Sequence, residues 1–198
     1  MKKRIVVLGA TGSIGESAMR VARALSDKIE IAGISGRNNT ARLLDLAREF
    51  PAARLCAGDA SGAQELGQKI GQPVLHGEQG LMELASLRDA DLVLIAIVGT
   101  AGLKPALHAL ESGKDLAVAS KEILVMAGEE VMAAAARVGR RVLPVDSEHN
   151  AIFQCLEGKD PSTVKRLILT CSGGPFRGAA AEDLASVCLL YTSDAADE

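Results

Sequence analysis

The feature that most narrows the fold is a glycine-rich turn set between two apolar segments at the start of the chain. Arg4–Leu8 reads as a buried strand, and Gly9-Ala10-Thr11-Gly12-Ser13-Ile14-Gly15 follows at once. Ile14–Leu25 then reads as a helix whose apolar positions are Ile14, Ala18, Val21, Ala22 and Leu25. The alternation continues. Strands are expected over Ile29–Ser35, Arg54–Ala57, Pro73–His76, Asp91–Val98, Asp115–Ala119, Arg141–Val145 and Val164–Thr170. Helices are expected over Thr40–Phe50, Ala60–Ile70, Gln79–Leu87, Leu103–Glu111, Lys121–Val138 and Glu148–Leu156, the first of these stopping before Pro51. Repeated βα order from residue 4 predicts an α/β chain with a doubly wound, mainly parallel sheet.

Composition excludes several other classes. Hydrophobic residues make up 48% of the 198 residues and charged residues 24%, which suits a packed domain rather than a disordered chain. The net charge is −3 with no basic block, and one Tyr, three Phe and no Trp leave little to stack on bases, so nucleic acid is not an expected partner. The longest uncharged stretch, Leu92–Leu103, is far short of the roughly 20 residues that span a bilayer, and Ile5–Leu8 is too short for a signal-peptide core. No membrane association is expected. Cys56, Cys155, Cys171 and Cys188 show no metal-binding spacing, which points to reduced thiols and a cytoplasmic setting.

The glycine turn carries the first chemical reading. A strand–turn–helix of this kind offers unpaired backbone N–H groups and the positive end of a helix dipole to a phosphate, and glycines let the backbone approach it. The spacing is G-x-x-G-x-x-G, so tight packing without a ligand is the plain alternative. Its place in an N-terminal βαβ unit favours a Rossmann-like dinucleotide site. The second strand runs into Gly36-Arg37-Asn38, with no acid for a ribose 2′-hydroxyl and a guanidinium in its place. Arg37 therefore suggests NADPH rather than NADH, against the alternative of a solvated surface arginine.

Three further clusters follow expected strands. In Ser120-Lys121-Glu122, Ser120 can cap the next helix, while Lys121 in the first turn opposes the helix dipole. A substrate-facing lysine or a tolerated surface lysine both account for it. In Asp146-Ser147-Glu148-His149-Asn150, two carboxylates could offer hard oxygen ligands to a divalent metal, or simply cap a helix. Ser172-Gly173-Gly174-Pro175-Phe176 could cradle a phosphate or be a plain connection.

Taken together, these clusters resemble 1-deoxy-D-xylulose 5-phosphate reductoisomerase of the non-mevalonate isoprenoid pathway. The matching motifs are GATGSIG at 9–15, AIVGTAGL at 96–103, SKE at 120–122, PVDSEHNAIFQ at 144–154 and SGGPF at 172–176, a likeness spanning about Lys3 to Gly178. The resemblance implies that Thr11, Gly12, Ser13 and Ile14 hold the NADPH pyrophosphate and that Gly36, Arg37 and Asn38 hold the 2′-phosphate end. It implies that Ser120 and Glu122 lie along the cofactor. Lys121, Ser147, Glu148 and Ser172 would meet a sugar-phosphate substrate, and Asp146 and Glu148 would bind Mg²⁺, Mn²⁺ or Co²⁺. Ser120 stands where the family usually has Asn, and Arg37 where Lys is common.

The resemblance also implies a homodimer and a chain about twice as long, with a further metal-binding glutamate and phosphate ligands beyond this sequence. The expected organisation is a cofactor domain over 1–147, an incomplete start of a catalytic domain over 148–185 and a non-native tail over 186–198, the chain by itself being inactive. A non-catalytic NADP(H)-binding module is the alternative. A semialdehyde dehydrogenase with a GATG opening ranks last, because Cys155 and Cys171 lack a recognisable nucleophile motif.

Overall fold

A computed structural model describes residues 2–169, 177–185 and 187. They divide into two compact units, Met1–Asp146 and Ser147–Glu198. The first unit is built on strands β1 (Lys3–Leu8), β2 (Ile29–Ser35), β3 (Arg54–Ala57), β4 (Leu75–His76), β5 (Leu92–Ile95), β6 (Asp115–Val118) and β7 (Val142–Pro144). Helices α1 (Ser13–Ala24), α2 (Thr40–Glu49), α3 (Ala60–Ile70), α4 (Gly77–Ala85), α5 (Leu103–Glu111) and α6 (Lys121–Val138) connect them, with a 3-10 turn at Gly99–Gly102. Every strand pairing is parallel, in the order β4-β3-β2-β1-β5-β6-β7. The expected doubly wound sheet is what forms.

Right-handed crossovers place helices according to the direction in which the chain moves across the sheet. Moving outward from β1 to β4, it lays α1, α2 and α3 on one face, where Met19, Leu43, Leu46 and Leu66 pack with Val7, Ile34 and Leu55. Returning past β1 to β7, it lays α4, α5 and α6 on the other, where Leu84, Leu110, Ile123 and Val131 pack with Val6, Leu8, Val93 and Ile95. Successive strand residues thus enter different cores, which is why β5 reads as a continuous apolar run. The winding reverses between β1 and β5, opening a crevice at their carboxyl ends. On the opposite edge Asp115 accepts hydrogen bonds from the Arg141 backbone N–H (3.2 Å) and guanidinium (2.7 Å), tying β6 to β7. Burial alone would raise the Asp115 pKa, but those hydrogen bonds and the charges of Arg141 and Lys3 outweigh it and hold the carboxyl below its ordinary value.

Several sequence expectations need correction. Helix α1 buries Gly15, Met19 and Ala22, whereas Ile14, Val21 and Leu25, expected in the core, are 41%, 49% and 37% exposed. The helix has apolar residues on two faces, and the one with Gly15 wins because it comes closer to the sheet. The strand expected over Asp91–Val98 ends at Ile95, where its partners Leu8 and Val118 also end. Helix α6 is broken at Ala127 (φ −147°), beside Gly128, whose low helix propensity eases the break.

The second unit contains α7 (Ser147–Leu156), a 3-10 turn at Pro161–Thr163 and α8 (Ala181–Leu184). The strand expected over Val164–Thr170 does not form across 164–169, and Thr170 lies outside the described residues. Its residues are apolar enough for a strand, with Leu167, Ile168 and Leu169 all more than half exposed. No neighbouring strand completes a hydrogen-bond ladder there among the described residues.

Candidate functional site

The crevice at the reversal is a cavity of about 680 Å³. The turn after β1 contributes Gly9, Thr11 and Gly12 to its wall, and the end of β2 contributes Ser35, Gly36, Arg37 and Asn38. Ala96, Ile97 and Val98 after β5 stand opposite, with Met126 from α6.

Local packing explains the shape of the turn. Gly9 has φ +90°, and a Cβ there would run into the Ala96 carbonyl; one on Gly15 would run into the Gly9 carbonyl and the Ala10 backbone. Buried Ser35 pins the turn from β2. Its Oγ accepts from the Gly9 N–H at 3.0 Å, and its carbonyl accepts from the Ala10 N–H at 2.8 Å. Across the same junction Thr11 lies against Gly36, where a Cβ would come within 2.9 Å of its methyl.

The Gly12 N–H donates to the Gly9 carbonyl at 3.2 Å, and the first turn of α1 beyond it is left open. Gly12 precedes α1 and gives it no side-chain cap. By contrast, Asn39 caps α2 through the Arg42 N–H (2.9 Å) and Asp59 caps α3 through the Gly62 N–H (2.8 Å). The first-turn N–H groups of α1 are therefore available to an anion. Gly12 has ordinary φ (−88°), and a Cβ there would meet nothing closer than the Gly9 carbonyl at 3.5 Å. Packing does not require glycine at this position, whereas a phosphate drawn close to the backbone does. Arg37 is exposed on the cavity wall, and no carboxylate pairs with it among the described residues. These residues fit a dinucleotide carrying an extra phosphate.

The other expected site residues are placed more loosely. Ser13 and Ile14 open α1 without lining the cavity. Ser120 is buried, and its hydroxyl donates to the Ile97 carbonyl rather than capping α6, so the capping expectation is wrong there. A carbonyl left without a partner inside the protein is the stronger claim on that hydroxyl. Lys121 is exposed and Glu122 half-buried in the first turn of α6, and neither lines the cavity. Asp146 follows β7 as the last residue of the first unit. In the second unit, Ser147 and Glu148 open α7, with the Ser147 hydroxyl donating to Glu148 Oε2 at 2.9 Å. Ser172 and the rest of 172–176 lie outside the described residues.

Among the described residues no three His, Cys, Asp or Glu side chains gather as a metal cage. One or two carboxylates are the usual protein share of a Mg²⁺ site, and the carboxylate oxygens of Asp146 and of Glu148 are each hard donors of the kind that ion takes. Cys56 also lines the cavity, but burial, reinforced by Glu83, pushes its pKa up to about 12, which removes it as a nucleophile. Sequence reasoning missed Glu78, Leu81, Lys104 and Met126, all on the cavity wall. Lys104 carried a usable signal, since it opposes the dipole in the first turn of α5 just as Lys121 does in α6.

A parallel sheet wound in this order, with its crevice at the reversal, is the architecture of dinucleotide-binding α/β domains. Comparison with known proteins narrows the class. Residues 5–128 match the family model of 1-deoxy-D-xylulose 5-phosphate reductoisomerase, and residues 142–193 match that of its C-terminal domain. The chain belongs to the 1-deoxy-D-xylulose 5-phosphate reductoisomerase family. The match runs past Gly178, where the motifs alone ended the likeness, and into the segment expected to be a non-native tail.

The enzyme of that name from Caldanaerobacter subterraneus subsp. tengcongensis is 43% identical over 187 residues, which cover 93% of this chain and 49% of that protein. The enzyme from Thermoanaerobacter sp. (strain X514) is 44% identical with the same coverage. The chain thus spans about half the length of the curated relatives it matches. The Zymomonas mobilis reductoisomerase, solved in complex with NADPH, superposes with a TM-score of 0.85 at 37% identity, over 98% of this chain and 52% of that one. A DOX-P reductoisomerase solved with NADPH, fosmidomycin and magnesium gives 0.74 at 40% identity, over 77% and 38%. No helix among the described residues is long and apolar enough to cross a membrane.

Proposed function

We propose that this chain carries the cofactor-binding part of a reductoisomerase that converts 1-deoxy-D-xylulose 5-phosphate to 2-C-methyl-D-erythritol 4-phosphate. The observation that carries the reading is the unpaired Arg37 on the same cavity wall as the uncapped start of α1. Thr11, Gly12, Ser13 and Ile14, at the start of α1, hold the pyrophosphate of NADPH. Gly36, Arg37 and Asn38 hold its 2′-phosphate, and Ser120 and Glu122 lie along the cofactor.

By resemblance to the family, Asp146 and Glu148 would bind Mg²⁺, Mn²⁺ or Co²⁺, and Lys121, Ser147, Glu148 and Ser172 would serve the sugar phosphate. When bound, NADPH supplies the hydride and the metal supplies Lewis acidity at the substrate oxygens. The protein's own work is to fix the dinucleotide by backbone and guanidinium contacts and to hold the substrate beside it. A cofactor domain over 1–147, the start of a catalytic domain over 148–185, a homodimeric enzyme and a cytoplasmic setting belong to the same proposal. So does an inactive chain when these residues stand alone.

The test is a titration with NADPH and with NADH, followed by reduced-nicotinamide fluorescence, which no tryptophan obscures in this chain. One charge-assisted contact corresponds to roughly 10–200-fold in affinity. The preference for NADPH is expected in that range and is expected to vanish in Arg37→Ala. Equal affinity for both cofactors in a chain that melts cooperatively refutes the assignment.

A further inference from the structure

Two arginine–glutamate pairs join α1 to α2, one at each end. Near the cavity, Arg42 Nε donates to Glu16 Oε1 at 2.5 Å and a terminal guanidinium nitrogen donates to Glu16 Oε2 at 2.8 Å. At the far end Arg23, in the last turn of α1, makes the same two-pronged contact with Glu49, the last residue of α2. All four side chains are between 30% and 37% exposed, so the two pairs are comparable as contributions to stability. They differ in what their backbones hold. The Glu16 N–H donates to the Gly12 carbonyl at 2.8 Å, and the Arg42 N–H donates to Asn39 Oδ1 at 2.9 Å. Gly12 belongs to the turn read as the pyrophosphate site, and Asn39 directly follows the 36–38 segment read as the 2′-phosphate site. A path of hydrogen bonds therefore runs from Gly12 through Glu16 and Arg42 to Asn39, from one phosphate site to the other. The Arg23–Glu49 pair ties neither.

We propose that Glu16 and Arg42 are positioning residues that fix the distance between the two phosphate sites and so set the preference for NADPH over NADH. The inference rests on the NADPH reading above. NADH has only its pyrophosphate to seat, so its binding does not depend on that distance. NADPH must reach the α1 turn and Arg37 at once, with its phosphates held at a span that one ribose dictates. A site already set to that span loses no affinity to rearrangement. Neither side chain lines the cavity, so each acts through the backbone it holds. The hydrogen bond from Arg42 keeps the Glu16 carboxyl below its ordinary range, which leaves the brace ionised and intact at neutral pH.

The experiment is fluorescence titration of the full chain with NADPH and with NADH, in wild type and in Arg42→Met, Glu16→Met and Arg23→Met. The ratio of the two affinities is expected to fall about fivefold in Arg42→Met and in Glu16→Met, the scale of one well-formed, partly exposed ion pair. In Arg23→Met it is expected to keep the wild-type value. Thermal melts are expected to fall by similar amounts in all three, so a merely structural role moves the melt and not the ratio. Arg42→Met and Glu16→Met remove opposite charges, so a plain charge effect moves their ratios in opposite directions. A ratio unchanged in both, shifted in opposite directions in the two, or lowered equally in Arg23→Met overturns this inference and leaves the NADPH reading standing. A cooperatively melting wild type with equal affinity for the two cofactors overturns both.

Discussion

Replacing Met19 and Val21 with alanine, one at a time, tests which face of α1 carries the fold. Met19 is fully buried between α1 and the sheet, whereas Val21 is 49% exposed, although helical periodicity assigns Val21 to the core. Truncating Met19 removes a thioether arm worth about 2.4 kcal/mol at ~0.8 kcal/mol per methylene-sized group. Incomplete collapse around the hole brings the total to about 2–5 kcal/mol. Val21 loses two methyls, of which roughly half was already in water, so the cost is about 0.8 kcal/mol. Alanine's better helix propensity offsets about 0.5 kcal/mol of that. Urea titration with a common slope separates the two, and Met19→Ala is expected to lower the melting temperature on the order of 10 °C. A Val21→Ala variant as unstable as Met19→Ala would refute the packing described for α1.

Other outcomes follow from the same geometry. Gly12→Ala is expected to melt like wild type but to lose at least tenfold in NADPH affinity, because its Cβ meets no protein atom within 3.4 Å yet stands where a phosphate approaches. Gly15→Ala is expected to lose stability itself, by about 1–3 kcal/mol, since its Cβ would strike backbone rather than a movable side chain. Hydrogen bonds from Arg42 to Glu16 and from Arg23 to Glu49 hold both carboxyls below their ordinary range. Their contribution is present above the unfolded carboxylate pKa and disappears as pH falls through the depressed folded values. The acid limb of urea midpoint against pH is therefore expected to flatten in Arg42→Met. Alkylation with iodoacetamide at pH 8, mapped by mass spectrometry, is expected to mark exposed Cys155 and spare Cys56 in the native chain. Prompt modification of Cys56 would contradict its burial.

Most of the architecture was legible because strand and helix periods alternate without ambiguity. The sheet order follows once crossovers are right-handed, and the crevice follows from the order. What the sequence hid was choice between equivalents. Helix α1 offers two apolar faces, and a glycine, invisible to a hydrophobicity count, decides between them by allowing close approach. Ser120 has the chemistry of a cap, yet the half-buried carbonyl of Ile97 claims its hydroxyl. Val164–Leu169 is apolar enough for a strand, but a strand is a relation between segments rather than a property of one. The glycine turn and Arg37 could be singled out because local chemistry marks them, and Gly9, Thr11, Gly12 and Arg37 do line the crevice. Glu78 and Leu81 could not be, since only the fold brings them to the cavity wall.

Gly9 and Ala96 touch in space although the whole β2–α4 excursion separates them in the chain. The binding crevice therefore straddles a seam, and neither half of the sheet contains it alone. A ligand seated there acts as a clasp across the β1–β5 junction, adding about 2.7 kcal/mol at a hundredfold excess over its dissociation constant. A bound ligand thereby opposes parting of the two halves. During synthesis the first four strands emerge with one wall of the crevice missing. Only when β5 docks beside β1 does a binding site come into being, so occupancy reports that the sheet has closed.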